Sequence, residues 1–495
     1  MPPHVHPEGT TLRDPSKLFY QLDFNRRLII ASYWVVIIAA IPLWWHFTSI
    51  ERLSLPTSQV HSQAANQLRF PVQIQLENIQ DASLPASLQQ LLDDRIQRSP
   101  QAWKGLDVRV RNQNDANKPG DLFTVTANDN IPLASQRDLM YPIRPGTLSM
   151  LADALSILLV PPTDTHRVAQ YSPRYRLAFT LLNEDAAAGK SISGWDISGA
   201  ISRHLSPILN GLSVLHNFTI ESQVQFHAPL AFSPLSLPDG YGITPEDLTV
   251  FVNSAEWSLS SSVSNDPVLH FVIFIPSASR RPLQILDSRG SPSPSSAFLL
   301  PQWGGIIIYN PPPEQESHAP LPQSALNSIF STFATQLLAL LGVPNLPPDV
   351  QTDAPVLTGW QLDALLRRRA LENAEGAQDT LKSIVKLVDQ IENMPVGQDV
   401  KGDVQDSLTA LDQMYAYSST SLNSTLHQSA DALTLASRAF FNPGMLALLY
   451  FPAEHKYAVY TPLFASAMIP MIATAVREIR AWRKQRREAA SAAAQ

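Results

Sequence analysis

The stretch nearest to a reactive constellation is Ala186-Ala187-Ala188-Gly189-Lys190-Ser191, which ends like a phosphate-binding loop. A cradle of that kind needs a glycine five places before Gly189, where the chain turns and presents its N–H groups. Glu184 stands there instead, and a carboxylate would repel phosphate, so the segment reads as a surface turn. Asp93 and Asp94 fall on the polar side of an amphipathic helix and read as its solvated face rather than as an acid pair. The 12 histidines are scattered, with no zinc-type spacing, and neither HExxH nor GxSxG occurs. Ser, His and Asp are all present, so counting alone does not exclude a triad. Cysteine is absent, which rules out disulfides, thiolate metal sites and cysteine nucleophiles. No catalytic, metal-ligating or cofactor-binding residue is therefore assigned. The modification chemistry is more definite: Asn217-Phe218-Thr219 and Asn423-Ser424-Thr425 are N-glycosylation sequons.

These residues hang on two kinds of element. Alternation at Phe70, Val72, Ile74 and Leu76, at Leu106, Val108 and Val110, and at Phe123 and Val125 predicts strands, with a helix over Ala86 to Arg98 between them. Further strands are expected over Tyr175–Leu182, Phe218–Phe226, Leu248–Val252, Leu269–Ile275 and Gly305–Tyr309. A helix over Trp195–Leu209 gives strand-helix-strand alternation, hence an α/β or α+β layer on a mixed β-sheet. Pro- and Ser-rich runs from Pro276, Ser291, Pro311 and Val343 read as loops. A buried helix is expected over Ser324–Leu341, and from Trp360 to Phe441 the pattern is wholly helical. Its stripes run through Leu381, Ile384, Val385, Val388 and Ile391, through Val404, Leu408, Leu411 and Tyr415, and through Leu422, Leu426, Leu433 and Phe440. Arg367 to Arg369 reads as a solvated helix face.

The two ends differ from everything between them. Leu28 to Trp45 is 18 residues without Asp, Glu, Lys or Arg, long enough to approach the ~30 Å of bilayer hydrocarbon. Trp44 and Trp45 sit where an interfacial aromatic belt belongs. A cleaved signal peptide fits less well, because 27 residues precede the run and no small-x-small site follows it. Tyr457 to Val476 is a second uncharged stretch, interrupted by Pro462 and Pro470, which a bilayer helix tolerates. Residues 1–27 carry net +1 and residues 477–495 net +4, leaving −12 of the total −7 for the middle. That acidic middle argues against a nucleic-acid partner. The positive-inside rule places both termini in the cytosol and the large middle in the lumen of the endoplasmic reticulum or its topological equivalent. The expected organisation is a tail (1–27), a first span (28–47), an α/β domain (48–342), a helical region (343–456), a second span (457–476) and a basic tail (477–495). The apolar run FFNPGMLALLYFP, with Phe440, Phe441, Leu446, Leu448 and Leu449, is expected to pack on lipid or a partner at the lumenal interface.

Several blocks resemble the PIG-S family, class S subunits of GPI transamidase, in its fungal type. They are PLWW at Pro42 with SLP at Ser54, WGGIIIYN at Trp303, WQLDALLRRRALEN at Trp360 and, most closely, SRAFFNPGMLALLYFPAEHKYAVYTPLF from Ser437. The resemblance runs in order along nearly the whole chain. It implies a noncatalytic two-span subunit of the endoplasmic reticulum complex that attaches glycosylphosphatidylinositol to precursor proteins. Its partners would be a cysteine-protease-like catalytic subunit and the other membrane subunits, with membrane lipid, GPI among it, and precursors met through the complex. No cofactor and no GPI-binding residue is carried over. Two other classes compete: a lumenal hydrolase or transferase with an unrecognised site, and a free-standing lumenal binding module.

Overall fold

A computed structural model describes residues 23–48, 51–79, 81–113, 120–128, 131–160, 168–259, 265–313, 318–352, 357–391, 394–446 and 453–492. They divide into two compact units. One comprises His61–Asp379 and Asp406–Thr434; the other takes the described parts of Met1–Val60, Thr380–Gln405 and Leu435–Gln495.

Strands in the first unit form two main sheets. The first has the order β14-β4-β5-β3-β1-β2, from β1 (Phe70–Glu77), β2 (Leu106–Asn112), β3 (Asp121–Ala127), β4 (Leu133–Ala134), β5 (Asp138–Tyr141) and β14 (Gln351–Thr352). β1 lies parallel to both β2 and β3, placing Val72 opposite Val108 and Ile74 opposite Phe123. Alternation sends Val72, Ile74, Leu76, Phe123, Val125 and Leu139 into one core. Two helices contribute to that core, Leu88 and Leu92 from α3 (Leu84–Arg98) and Leu151, Leu155 and Leu158 from α4 (Leu148–Leu159). α4 has no counterpart among the expected elements.

The second sheet has the order β12-β13-β10-β6-β7, and only β12 is antiparallel to its neighbour. Its strands are β6 (Arg174–Asn183), β7 (Asn217–Gln225), β10 (Val268–Ile275), β12 (Ala297–Leu300) and β13 (Gly304–Ile308). Both faces of the central strands are covered, which is why β10 reads VLHFVIFI without a polar alternation. On one face Phe179 and Phe271 meet Phe330 and Phe333 of α8 (Gln323–Leu340), with ring centroids 5.6 and 5.3 Å apart. On the other, Leu182, Val272, Phe274, Ile306 and Ile308 pack with Phe251, Trp257 and Leu283. A small sheet of β8 (Leu235–Leu237), β9 (Gly240–Ile243) and β11 (Leu283–Ile285) supplies part of that cover.

The mixed α/β character is as expected, with the strands divided between sheets. The Trp195–Leu209 helix is present as α5 (Ile197–Ala200) and α6 (Ser206–Gly211), joined by a wide turn over Ile201–Leu205. Pro207 has no N–H to donate, so the ladder loosens just before it. The expected strand Leu248–Val252 is not one. Pro245–Thr249 is a short helix, α7, because Thr244 caps it reciprocally with Asp247 and Pro245 occupies its first turn. Those local cap bonds outweigh a three-residue alternation.

The helical stretch contains α9 (Gly359–Gln390), α10 (Gln398–Tyr417) and α11 (Leu422–Phe440). Within the sheet-bearing unit, Asn373 donates to Ser429 Oγ at 3.2 Å and Ser407 Oγ donates to the Ala432 carbonyl at 2.8 Å. Small side chains permit that approach: Ser407, Ser429 and Ala432 are fully buried, whereas the expected Leu433 is only half-buried. In the other unit, Leu381, Ile384, Val385 and Val388 are buried as their spacing requires, Arg52 donates to the Val388 carbonyl at 2.6 Å, and Arg438 pairs with Asp403. That unit also holds α1 (Asp23–Thr48), the start of α2 (Thr57–Ala65), α12 (Pro443–Leu446) and α13 (Ala453–Ala492). Of the apolar run after Ser437, Phe440 is half-buried and Phe441 exposed, while Leu448 and Leu449 lie outside the described residues.

Candidate functional site

Chemistry in an open parallel sheet concentrates where successive connections leave in opposite directions, at the carboxyl ends of the strands. In the second sheet that point lies between β6, followed by β7 on one side, and β10 on the other. The phosphate-loop-like segment starts there. Glu184, the residue after β6, is buried, accepts the Ser277 N–H at 2.8 Å and pairs with Arg280. Asn183 clasps Ile192 through both of its backbone groups, at 2.8 and 3.0 Å. Asp185 accepts from the Ala187 N–H at 3.0 Å, and Arg281 donates to the carbonyls of Pro276 and Lys190 at 2.8 and 2.9 Å. The crevice is thus filled by mutually bonded side chains of its own loops, and one of the amides a phosphate would use is already taken.

A serine and a histidine do meet nearby. Ser191 Oγ lies 2.7 Å from His318 Nδ1, and the His318 N–H donates to the Ser191 carbonyl at 3.0 Å. Ser191 is only 2% exposed, so this pair ties two loops together rather than presenting a nucleophile. Two further histidines are buried in the second sheet's layer. Burial pulls His216 down to about 4, against the pull of its 2.7 Å contact with the Ser172 carbonyl. His270, stacked 4.7 Å from Trp303, is likewise lowered to about 4 by burial and then by Arg176. Among the described residues no three His, Asp or Glu side chains are grouped as metal ligands.

The arginine run is where the structure departs most from expectation. Arg367 is not on a solvated face: its side chain is 2% exposed and lies over the Phe123 ring, 5.4 Å from the centroid. One α-helical turn earlier Asp363 accepts from Arg137 at 2.7 Å, and two turns earlier the Trp360 ring lies tilted against the same Phe123 ring at 4.3 Å. Asp121 completes a neutral quartet, 3.3 Å from Arg137 and 3.6 Å from Arg367. Burial raises Asp363 above the usual carboxylate range, against Arg137, and lowers Arg367, against Asp363 and Asp121. Arg369 goes elsewhere, its guanidinium 4.0 Å from the Tyr171 ring centroid, and it shares Glu372 with Arg368, at 2.8 and 2.9 Å. A 100° step per residue turns Arg368 and Arg369 away from the buried Arg367, and a planar guanidinium on an aliphatic stem suits an aromatic face. The signal available in the sequence was Asp363, an acid four residues before Arg367 in line with Trp360.

The WGGIIIYN block is a packing device. A Cβ on Gly304, whose φ is +154°, would stand 1.9 Å from the His270 carbonyl oxygen, so β13 can approach β10 there only as glycine. Asn310 brackets Leu283, accepting its N–H and donating to its carbonyl, both at 2.9 Å. Of the two sequons, Asn217 and Thr219 are both exposed on β7, an edge strand. Asn423 is exposed in the first turn of α11, but Thr425 is buried and donates to the Ser421 carbonyl at 2.9 Å.

Two helices, Phe24–Trp44 and Ala458–Ser491, contain windows long and apolar enough to cross a membrane, and none of either window is buried. They pair antiparallel: Arg26 and Arg27 meet Glu478 at 3.1 and 3.0 Å, and the Trp44 ring lies 5.8 and 5.6 Å from those of Tyr460 and Phe464.

This is an α/β protein with such an apolar helix near each end, and the crevice where an enzyme of this topology would hold its ligand is filled by its own side chains. The chain belongs to the PIG-S family. The model of that family, described as phosphatidylinositol-glycan biosynthesis class S protein, matches residues 31–148 and 149–485. The mouse (Mus musculus) GPI-anchor transamidase component PIGS is 35% identical over 334 residues, 65% of this chain and 60% of the mouse protein, less than two thirds of its length. The human (Homo sapiens) protein of the same name is 28% identical over 528 residues, covering 91% of this chain and 95% of its own. The Schizosaccharomyces pombe GPI transamidase component PIG-S homolog is 29% identical over 485 residues, 93% of this chain and 85% of that protein.

Proposed function

We propose that this chain is a noncatalytic subunit of a GPI-anchor transamidase complex in the endoplasmic reticulum membrane. The carrying observation is that the family match runs from within α1 to within α13, so the similarity to transamidase components includes both apolar helices and everything between them. Two further observations support a scaffolding role: the strand-end crevice holds the chain's own Glu184, Arg280 and Ser277, and Ser191 is buried. In this reading α1 and α13 span the membrane with both termini cytosolic, and residues 48–456 form a lumenal α/β domain followed by a helical region. The antiparallel pairing of the two helices and the basic residues outside both of them favour that orientation. The cysteine-protease-like subunit would supply the chemistry, this chain positioning it and the other membrane subunits around lipid and precursor. Asn217 and Asn423 are then lumenal glycosylation sites, with Asn423 modified before α11 closes over Thr425. The test is affinity purification of the tagged full chain in mild detergent. Recovery of a cysteine-protease-like subunit and polytopic partners is expected; an isolated monomer from cells with intact GPI anchoring would refute the assignment.

A further inference from the structure

Beyond Val476, α13 continues unbroken to Ala492, so its side chains keep a 100° step. Arg477, Arg480, Arg483, Lys484 and Arg487 therefore fall within an arc of about 120°, and all five are exposed. Glu478 and Gln485 point the other way, toward α1. There Glu478 pairs with Arg26 and Arg27 at 3.1 and 3.0 Å, and Gln485 accepts from Arg27 at 3.2 Å. α1 thus removes the one acid between Arg477 and Arg487 from the basic side. On that side Lys484 reaches Glu488 at a loose 3.9 Å, and among the described residues no carboxylate pairs with the four arginines. Arg486 lies over Trp482, 5.1 Å from its ring centroid, and Trp482 is itself half-exposed.

Resting on the reading that α13 leaves the membrane on its cytosolic side, we propose that this stripe is a docking surface for the headgroups of anionic phospholipids in the cytosolic leaflet. Charge complementarity gives the sign, since that leaflet carries a negative surface potential. Dimensions give the rest. From Arg477 to Arg487 the helix rises about 15 Å, close to a headgroup layer of roughly 6 Å plus a Debye length of about 8 Å. Residues 488–495 carry no Lys or Arg, so the stripe is bounded at Arg487 within that segment. An orientation signal needs only a count of Lys and Arg; it does not need them on one face with the intervening acid drawn to the other.

The test uses the full chain in nonionic detergent, titrated with short-chain phosphatidylserine, phosphatidylcholine of the same chain length, and inorganic phosphate. Binding is read by native mass spectrometry and by a dye on Ser491→Cys, the sole thiol in a cysteine-free chain. Phosphatidylserine is expected to bind at least tenfold more tightly than phosphatidylcholine. Single Arg480→Gln or Arg487→Gln changes should each weaken it by up to about fivefold, and the combined R480Q/R483Q/K484Q/R487Q variant should abolish the preference. Equal binding of the two lipids, binding unchanged in the combined variant, or equal competition by phosphate would overturn the headgroup site. So would loss of co-purifying subunits from that variant with lipid binding intact, which would assign the stripe to an acidic protein surface. Orientation is read separately, by an impermeant maleimide on S491C in sealed microsomes. Protection until detergent is added would overturn the orientation and the site together; labelling of intact vesicles without lipid selectivity would overturn the site alone.

Discussion

Each of the two main sheets buries acids against arginines, and to opposite ends. In the first, Asp121 and Arg137, at the start of β3 and just before β5, meet Asp363 and Arg367 of α9, more than 200 residues away in the chain. In the second, Glu184 meets Ser277 and Arg280 from the adjoining strand end. The first arrangement spans tertiary distance and is roofed by Phe123 and Trp360; the second is confined to the loops that border a ligand crevice. The same pairing chemistry therefore holds a helix to a sheet in one place and fills a binding position in the other. Removing a member should cost most where the partners have no water to fall back on.

The largest effect is expected at Arg367. Arg367→Met leaves Asp121 and Asp363 facing Arg137 alone, a buried uncompensated charge, and should cost about 3–5 kcal/mol. In thermal unfolding of the full chain the transition should fall by roughly 5 °C. Adding Asp121→Asn restores neutrality and should recover a substantial part of the loss. A fall of less than 2 °C, or no recovery in the double variant, would mean that the quartet acts only as filler.

Gly304 tests whether the second sheet depends on backbone fit more than on its ion pairs. Gly304→Ala places a Cβ against the His270 carbonyl and strains a left-handed φ, with an expected cost of about 3 kcal/mol from overpacking and strain together. Glu184 should matter less, because the Arg280 side chain is 35% exposed and can rehydrate. Glu184→Gln is expected to lose about 1–2 kcal/mol. Glu184→Gly, which completes the GxxxxGK spacing, should still bind no fluorescent ATP analogue, since Asp185 continues to hold the Ala187 amide. Nucleotide binding by that variant would reverse the reading of the crevice.

These sites were legible in the sequence to unequal degrees. Strands β1, β6, β7 and β10 follow from hydrophobic pattern, because their faces are set by burial alone. The expected strand over Leu248–Val252 fails because its first two residues end α7, whose capping box at Thr244 and Asp247 decides what hydropathy leaves ambiguous. Glu184 could be dismissed as a phosphate-loop residue from its charge, yet its burial depended on Arg280 and Ser277, nearly 100 residues onward. Arg367 was misplaced for a general reason: charge predicts exposure until an aromatic ring and two carboxylates from another element are brought to it, and nothing within the helix reports their arrival. Small-residue contact between helices, as at Ser407 and Ala432, escapes a search for large apolar stripes in the same way.

The smallest effect separates the sheets by pH. His216 and His270 both belong to the second sheet's layer, and burial holds each at about 4 against 6.5 for the free side chain. A lowered histidine favours the neutral folded form, so its contribution is complete above pH 6.5 and is lost progressively as the pH falls toward 4. Between pH 7 and 6 the unfolded chain gains protons that the folded chain refuses, and the pair should cost about 1 kcal/mol. Hydrogen exchange at pH 7 and 6 should then show loosening of β6, β7 and β10 while β1 and β3 keep their protection. Replacing both histidines with glutamine should flatten that slope. Equal loosening of the two sheets, or a slope unchanged in the double variant, would take the pH dependence away from these two histidines.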